Sequence, residues 1–174
     1  MKIRVNKSTA IITGVILFLT AAVIMLGILN YEYMTARREL LRGYGTFLVT
    51  VVSENYTHVV SMDDVLTIGY MPVSAIYRGE SRNFTGVPLA SIFEHLGVDC
   101  SGADAVVVTS LDGLRTAISI ADAMDDTNTF IIFEEDGQPL GTMEDGGVGP
   151  YRLIVARDPF PNRWARHLME ITVQ

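Results

Sequence analysis

From Ala10 to Leu29 the chain is apolar apart from Thr13, Gly14, Thr20 and Gly27, and no charge falls inside the run. About twenty such residues are what a helix needs to cross the hydrocarbon core of a bilayer. A helix in a water-soluble core keeps a polar stripe for solvent, whereas this segment is apolar all round, which favours membrane embedding. A secretory leader would have a core of about 7 to 15 apolar residues ending in a small-x-small site. The run here is longer, Asn30-Tyr31-Glu32-Tyr33-Met34 offers no such site, and no cysteine follows for a lipid. We therefore expect a single-pass signal anchor in the cell membrane. Lys2, Arg4 and Lys7 precede it without an acid, while Arg37, Arg38 and Arg42 follow it mixed with Glu32 and Glu39. The comparison is close and tips toward a cytoplasmic N-terminus, with the rest of the chain on the extracytoplasmic side.

With that segment set aside, the 174 residues leave room for one ordinary domain. Beyond Tyr31 stand all twenty acids, ten arginines and no lysine, a net charge near −10. Such a surface gains nothing from counterion release along a phosphate backbone and has no basic stripe interleaved with aromatics, so nucleic acid is excluded as a partner. It also disfavours flat adsorption onto anionic lipid. Cys100 is the single cysteine, which rules out an internal disulfide, a cysteine-cluster zinc site and a haem attachment motif.

The expected division is a tail at 1–9, a transmembrane helix at 10–29, a helical stalk at 30–43 that Gly43 and Gly45 end, and a domain at 44–174. Thr46 to Ser53 reads as a first strand, Ser61-Met62-Asp63-Asp64 as the capped start of a short helix, and Pro72 to Tyr77 as a second strand. Gly86-Val87-Pro88-Leu89 places proline in the first turn of a helix with Leu89, Ile92, Phe93 and Leu96 on one face, stopped by Gly97. Ala105–Thr109 and Arg115–Ile118 are strands around Leu111-Asp112-Gly113, and Ser119–Met124 is a short helix. Phe130–Phe133 and Gln138–Leu140 pair about Asp136-Gly137, and Tyr151–Val155 and Leu168–Val173 close the fold. Short strands, short helices and several hairpins imply an α+β domain with a mixed sheet rather than a doubly wound one.

Five pieces stand in a distinctive order: Gly86 to Leu89, Asp112-Gly113, Gly137-Gln138-Pro139-Leu140, Gly149-Pro150-Tyr151-Arg152-Leu153, and Arg163 to Val173. Together they make most of 44–174 resemble the molybdopterin-binding domain of the sulfite oxidase family, in its short single-domain form. The resemblance implies that fold, an oxidoreductase type of activity, a molybdopterin or related phosphorylated pterin, and a membrane or envelope redox partner. In the family a cysteine before the Gly-Val-Pro-Leu helix completes the sulfur ligation of molybdenum. That segment corresponds here to about Pro72 to Tyr77, which holds Val73, Ser74, Ala75 and Ile76 and no thiol. A serine is a poor soft donor, so a molybdenum centre of the family type is not expected. Cys100 follows the helix and does not stand in for it. Arg163 and Arg166 fall on the two lysines of the family's terminal motif, and Arg157 precedes them; arginine's planar fork suits phosphate oxygens, so these three are the expected cofactor-binding residues. The same arginines would equally pair with acids such as Asp158 and Glu170.

Other groups point to surface chemistry rather than to a site. His58, His95 and His167 are far apart and none has a second ligand at metal spacing. Glu134-Glu135-Asp136 reads as a solvated hairpin tip. Asp122, Asp125 and Asp126 with Glu144 and Asp145 lack the spacing of a calcium loop. Asn55-Tyr56-Thr57 and Asn83-Phe84-Thr85 are glycosylation acceptors only in a host that modifies exported proteins. Three classes of function follow: a tethered anion-binding module without molybdenum redox chemistry, which we favour; an active molybdopterin oxidoreductase with an atypical ligand or a partner subunit; and a non-catalytic envelope interaction module.

Overall fold

The computed structural model describes residues 7–42, 45–52 and 54–174. The basic tail with Lys2 and Arg4, Gly43 as the end of the stalk, Tyr44 as the first domain residue and Ser53 as the end of the first strand lie outside the described residues. The chain divides into two compact units, Met1–Leu41 and Arg42–Gln174.

The first unit is a helix, α1 (Lys7–Arg42). Its stretch Ile12–Tyr33 has 22 residues and a mean hydropathy of 2.7. At 1.5 Å per residue it is about 33 Å long, enough to span a membrane. Thr20 lies within the apolar stretch, and its hydroxyl donates back to the Ile16 carbonyl at 2.9 Å, so the polar group is satisfied inside the helix.

In the second unit β1 (Phe47–Val51) and β2 (Tyr56–Val60) form an antiparallel pair. The helix α2 (Met62–Ile68) starts in a full capping box: Asp64 N–H donates to the Ser61 hydroxyl, and the Ser61 N–H donates to Asp64 Oδ2 at 2.8 Å. Next come β3 (Met71–Tyr77), β4 (Glu80–Pro88) and α3 (Leu89–Leu96), which Gly97 ends in the left-handed conformation at φ 67°. The hairpin β5 (Ala105–Ser110) and β6 (Arg115–Ser119) leads into α4 (Ile120–Ala123). The chain closes with β7 (Thr129–Glu135), β8 (Gln138–Pro139), β9 (Arg152–Val155), a 3-10 turn at Pro161–Arg163 and β10 (Leu168–Val173).

Two five-stranded sheets result. One runs β2-β1-β10-β5-β6 and is mixed, because β1 and β10 are parallel and the other pairs antiparallel. The other runs β3-β4-β7-β8, with β9 also pairing β7. The expected α+β architecture with a mixed sheet is therefore present. Its core holds Phe47, Val49 and Val51 of β1, Val106 and Val108 of β5, and Phe130 to Phe133 of β7. Phe47 meets the buried Tyr151 edge-on, with ring centroids 5.0 Å apart.

The structure corrects two local expectations and supplies one connection. Pro88 ends β4, opposite Phe130, with φ −59° and ψ 138°, so α3 begins one residue later than the proline cue suggests. Glu134 is not at a solvated tip: it is 1 % exposed, because β7 continues to Glu135 and Glu134 is still paired with Thr85 and Pro139 in the ladder. The connection between β3 and β4, which the sequence reading left open, is a two-residue turn. Arg78 and Gly79 adopt φ 53° and 85°, the left-handed pair of a tight hairpin, and Tyr77 faces Glu80 across it.

Candidate functional site

The three arginines expected to bind a cofactor lie on the segment between β9 and β10, and the structure gives them different surroundings. Arg163, which ends the 3-10 turn, donates from Nε to Asp158 Oδ2 at 2.8 Å and from Nη1 to Asp122 Oδ2 at 2.7 Å, and its Nη2 also donates to Asp158. Arg157 donates from Nη1 to Asp125 Oδ2 at 2.6 Å and from Nη2 to the Thr127 hydroxyl. The hydrogen bond from Arg163 holds the Asp122 carboxyl below its ordinary range despite partial burial, with Ser119 and Asn128 adding to the effect. Glu170, the other expected acid partner, accepts from the Thr50 hydroxyl at 2.6 Å instead. Arg166 is exposed, and its charge acts on a fourth arginine.

That fourth residue is Arg152, the first residue of β9, opposite Ile132 of β7. It is only 6 % exposed, and its Nε has no hydrogen-bond partner. The guanidinium carbon lies 5.0 Å from the centroid of the Trp164 ring and 5.2 Å from that of Tyr77. The two rings stack on each other at 5.4 Å and 28°, Phe84 meets Trp164 edge-on at 5.8 Å, and the indole N–H donates to the Val155 carbonyl at 3.1 Å. Burial pulls the Arg152 pKa down from its ordinary value; Tyr77 and Glu135 oppose the shift and Arg166 adds to it. Glu135 is itself engaged by Arg82, at 3.3 Å. A buried cation with an open donor, a second cation nearby and two aromatic faces is suited to an incoming anion. Arg152 stands inside the Gly-Pro-x-Arg-Leu piece of the sequence, and that motif is the one signal that points to it; its burial is a property of the fold.

The aromatic pair belongs to a buried cluster that includes Val73, Ala75, Phe84, Ile132 and Leu140, with Val148 packed against it. Leu140 and Val148 also line a neighbouring cleft of about 400 Å³, together with Arg82, Glu135, Asp136 and Gly147. Cys100 is elsewhere. It lines a cleft with Val98, Asp99, Ser101, Ile120, Ala121 and Met124, to which Arg163 does not contribute. Burial, and then Asp99, push its thiol pKa up, away from the thiolate that a metal or a substrate would need. Among the described residues no three His, Cys, Asp or Glu side chains form a group able to hold a metal ion. His167 is buried with Nδ1 2.8 Å from the Gly149 carbonyl oxygen, and His58 packs edge-on against Tyr56. Of the acids between Asp122 and Asp145, Asp122 and Asp125 are engaged by arginines and Asp145 accepts from the Thr142 hydroxyl at 2.7 Å.

Residues 73–174, from β3 to the C-terminal residue, match the family described as "Oxidoreductase molybdopterin binding domain". The chain belongs to that family. Among solved structures, the sulfane dehydrogenase SoxCD from Paracoccus pantotrophus is similar, with a TM-score of 0.61 and 16 % identity over 74 % of this chain and 38 % of that one. At that identity the likeness is one of fold, and this chain spans well under half of the relative's length. None of the curated proteins compared matches the chain.

The oxidoreductase molybdopterin-binding family implies a molybdopterin cofactor, and the two ends of such a group fit this member differently. Arg152 is a buried guanidinium with an unpartnered Nε, a group that would suit an anionic end. On β3, the strand that would have to supply the metal ligand, Ser74 is exposed with its hydroxyl on Asn83 Oδ1 at 3.1 Å, Val73 and Ala75 are buried apolar side chains, and Tyr77 is stacked on Trp164. That donor set does not fit a thiolate-held molybdenum.

Proposed function

We propose that this member of the molybdopterin-binding family is a membrane-tethered, extracytoplasmic module that holds a phosphorylated pterin or a similar organic anion without the family's molybdenum–cysteine centre. The observation that carries the reading is Arg152, a buried guanidinium with a free donor beside Arg166, on a fold whose cysteine-bearing strand has no thiol. Arg152 and Arg166 take the anion. Arg163 and Arg157, held by Asp122, Asp158 and Asp125, shape the segment around them. The 22-residue, predominantly apolar stretch Ile12–Tyr33 supplies the tether, and the basic residues before it, unmixed with acids whereas those after it are mixed with Glu32 and Glu39, tip the domain toward the extracytoplasmic side.

The test is native mass spectrometry with elemental analysis on the full chain, purified in detergent from its own host. The expected result is an organic phosphate ligand without stoichiometric molybdenum, lost when Arg152 and Arg166 are both changed to Ala. An unchanged ligand in that double variant removes the pocket. The family's oxidoreductase character favours a second reading, an active enzyme that draws its metal ligand from a non-thiol group or a partner subunit; stoichiometric molybdenum in the same sample selects it. Protein with no ligand at all selects an interaction module.

A further inference from the structure

The wall of the site is a loop: Trp164 is seated by its indole N–H on the Val155 carbonyl and by the Leu153–Ala165 bridge that follows it, and the turn that leads into it is tied by Arg163. The 3-10 turn at Pro161–Arg163 has no side-chain cap, yet the next residue, Trp164, must keep its ring on Tyr77 and beside Arg152. Arg163 ties the turn in two directions. Asp158, five residues earlier, closes the loop on itself, whereas Asp122 comes from α4, 41 residues away, and fastens it to the body of the domain.

Asp122 is in turn held from several sides. Its N–H donates to the Ser119 hydroxyl at 3.1 Å, its carbonyl accepts from the Thr129 hydroxyl at 2.8 Å, and its Oδ1 accepts from the Asn128 amide at 3.0 Å. Asn128 grips the start of the same loop: its carbonyl accepts from Ala156 N–H at 2.7 Å and its Oδ1 from Arg157 N–H at 3.1 Å. Asp122 and Asn128 thus form one clamp closed on both ends of residues 156–163. Arg163 is half-buried and divides its guanidinium between the two acids: Nε and Nη2 fork onto Asp158, and Nη1 makes the single contact with Asp122 at 2.7 Å that ties the loop to α4.

We propose that Asp122 is a positioning residue for the anion site: acting through Arg163, it sets the place of Trp164 against Arg152 and of Arg166 at the rim. The inference rests on the reading of Arg152 and Arg166 as the anion site, but its physical content is separate from ligand identity. Asp122 touches no ligand, and its effect on binding is exerted entirely through the loop.

Trp164 is the only tryptophan in the chain, so its emission reports the wall directly. The experiment compares the full chain in detergent with Asp122→Asn, Asp122→Glu and Asp125→Asn, using Trp emission, acrylamide quenching and titration with inorganic phosphate. Asp122→Asn is expected to move the emission to longer wavelength, raise quenching and weaken phosphate roughly ten-fold, the loss of one charge-assisted contact. Asp122→Glu restores part of both signals. Asp125→Asn, which disturbs exposed Arg157 and the turn at Thr127 but no contact of Arg163, leaves the emission in place. If Asp122→Asn fails to fold by circular dichroism, Arg163→Lys tests the tie instead, since a lysine keeps the charge but cannot reach Asp122 and Asp158 together. Unchanged emission and quenching in a folded Asp122→Asn or Arg163→Lys chain overturns the positioning role. A shift in emission with no phosphate binding even in the wild type leaves the role standing and removes the anion reading instead.

Discussion

Replacing Arg152 by Met separates what the residue does for binding from what it does for stability. The side chain is buried at 6 % exposure, its Nε has no acceptor, and burial is the first cause of its lowered pKa. Methionine is similar in length and needs no solvation. Exchanging a poorly compensated buried ion for a well-packed apolar side chain gains about 1–4 kcal/mol. Against this stand the contacts with Trp164 and Tyr77 at 5.0 and 5.2 Å, each contributing about 0.5–1 kcal/mol to the wild type. The balance is about 1 kcal/mol in favour of Met, which for a domain of this size raises the unfolding midpoint by roughly 4 °C. Phosphate reverses the order: at a hundred times its dissociation constant it stabilises a binding-competent chain by about 2.7 kcal/mol, and Arg152→Met gains none of that. The assay is thermal unfolding of the full chain in detergent by circular dichroism, with and without phosphate. If Arg152→Met unfolds several degrees below the wild type in phosphate-free buffer, the guanidinium is a structural strut, and the argument that it is kept for a ligand fails.

Three further outcomes follow from the geometry. Gly147→Ala would put a Cβ 2.3 Å from the Leu140 carbonyl oxygen and 2.7 Å from the Gly141 carbonyl carbon; backbone cannot yield there cheaply, and a loss of about 1–3 kcal/mol should appear in the urea midpoint. Ser61→Ala removes the cap of α2 and should cost about 1 kcal/mol in the same titration, with Ser61→Asp close to neutral. Asp122 has a folded pKa below its unfolded value, chiefly through Arg163, so it stabilises the fold above the unfolded carboxylate pKa, and that contribution is lost as pH falls through the folded one. Stability measured from pH 6 downward should therefore drop less steeply in Asp122→Asn than in the wild type, and parallel curves would show that the pair contributes nothing at acid pH.

The strands legible in the sequence are those whose buried positions follow a pattern. β1 alternates, and β7 is a run of apolar residues in the middle of its sheet. β2 was passed over because it is an edge strand: of Tyr56–Val60 only Val60 is fully buried, so no apolar alternation announces it. β4 was hidden for a different reason. Its first half, Glu80 to Asn83, is polar, and its last residues, Gly86-Val87-Pro88, carry cues that belong equally to a helix start. Gly86 is demanded by the ladder rather than by a turn, since a Cβ there would lie 2.6 Å from the Ile131 carbonyl oxygen, a constraint visible only once β4 is beside β7.

The site was legible in its residue types and hidden in its pairings. In a domain with more than twice as many acids as arginines, what an arginine does depends on which acid the fold brings to it: the pairing of Arg163 with Asp158, five residues away, was legible, but the second acid of Arg163 and the acid of Arg157 are 41 and 32 residues away. Sequence spacing ranks Arg157, Arg163 and Arg166 alike, because all three stand in or near one motif. The fold ranks them by what remains unsatisfied: two are neutralised by carboxylates, while Arg166 works against Arg152, the one buried guanidinium of the segment, and raises the cost of keeping it charged. Burial, and to a lesser degree the charge of exposed Arg166, make the Arg152 guanidinium costly to keep charged in the empty protein, and an anion there relieves that cost. The expected signature is mutual: Arg166→Ala should stabilise the ligand-free chain slightly and weaken phosphate, as Arg152→Met does to a greater degree. If Arg166→Ala instead leaves both the free midpoint and the phosphate titration untouched, its charge is not coupled to Arg152, and the anion must be sought on Arg152 alone.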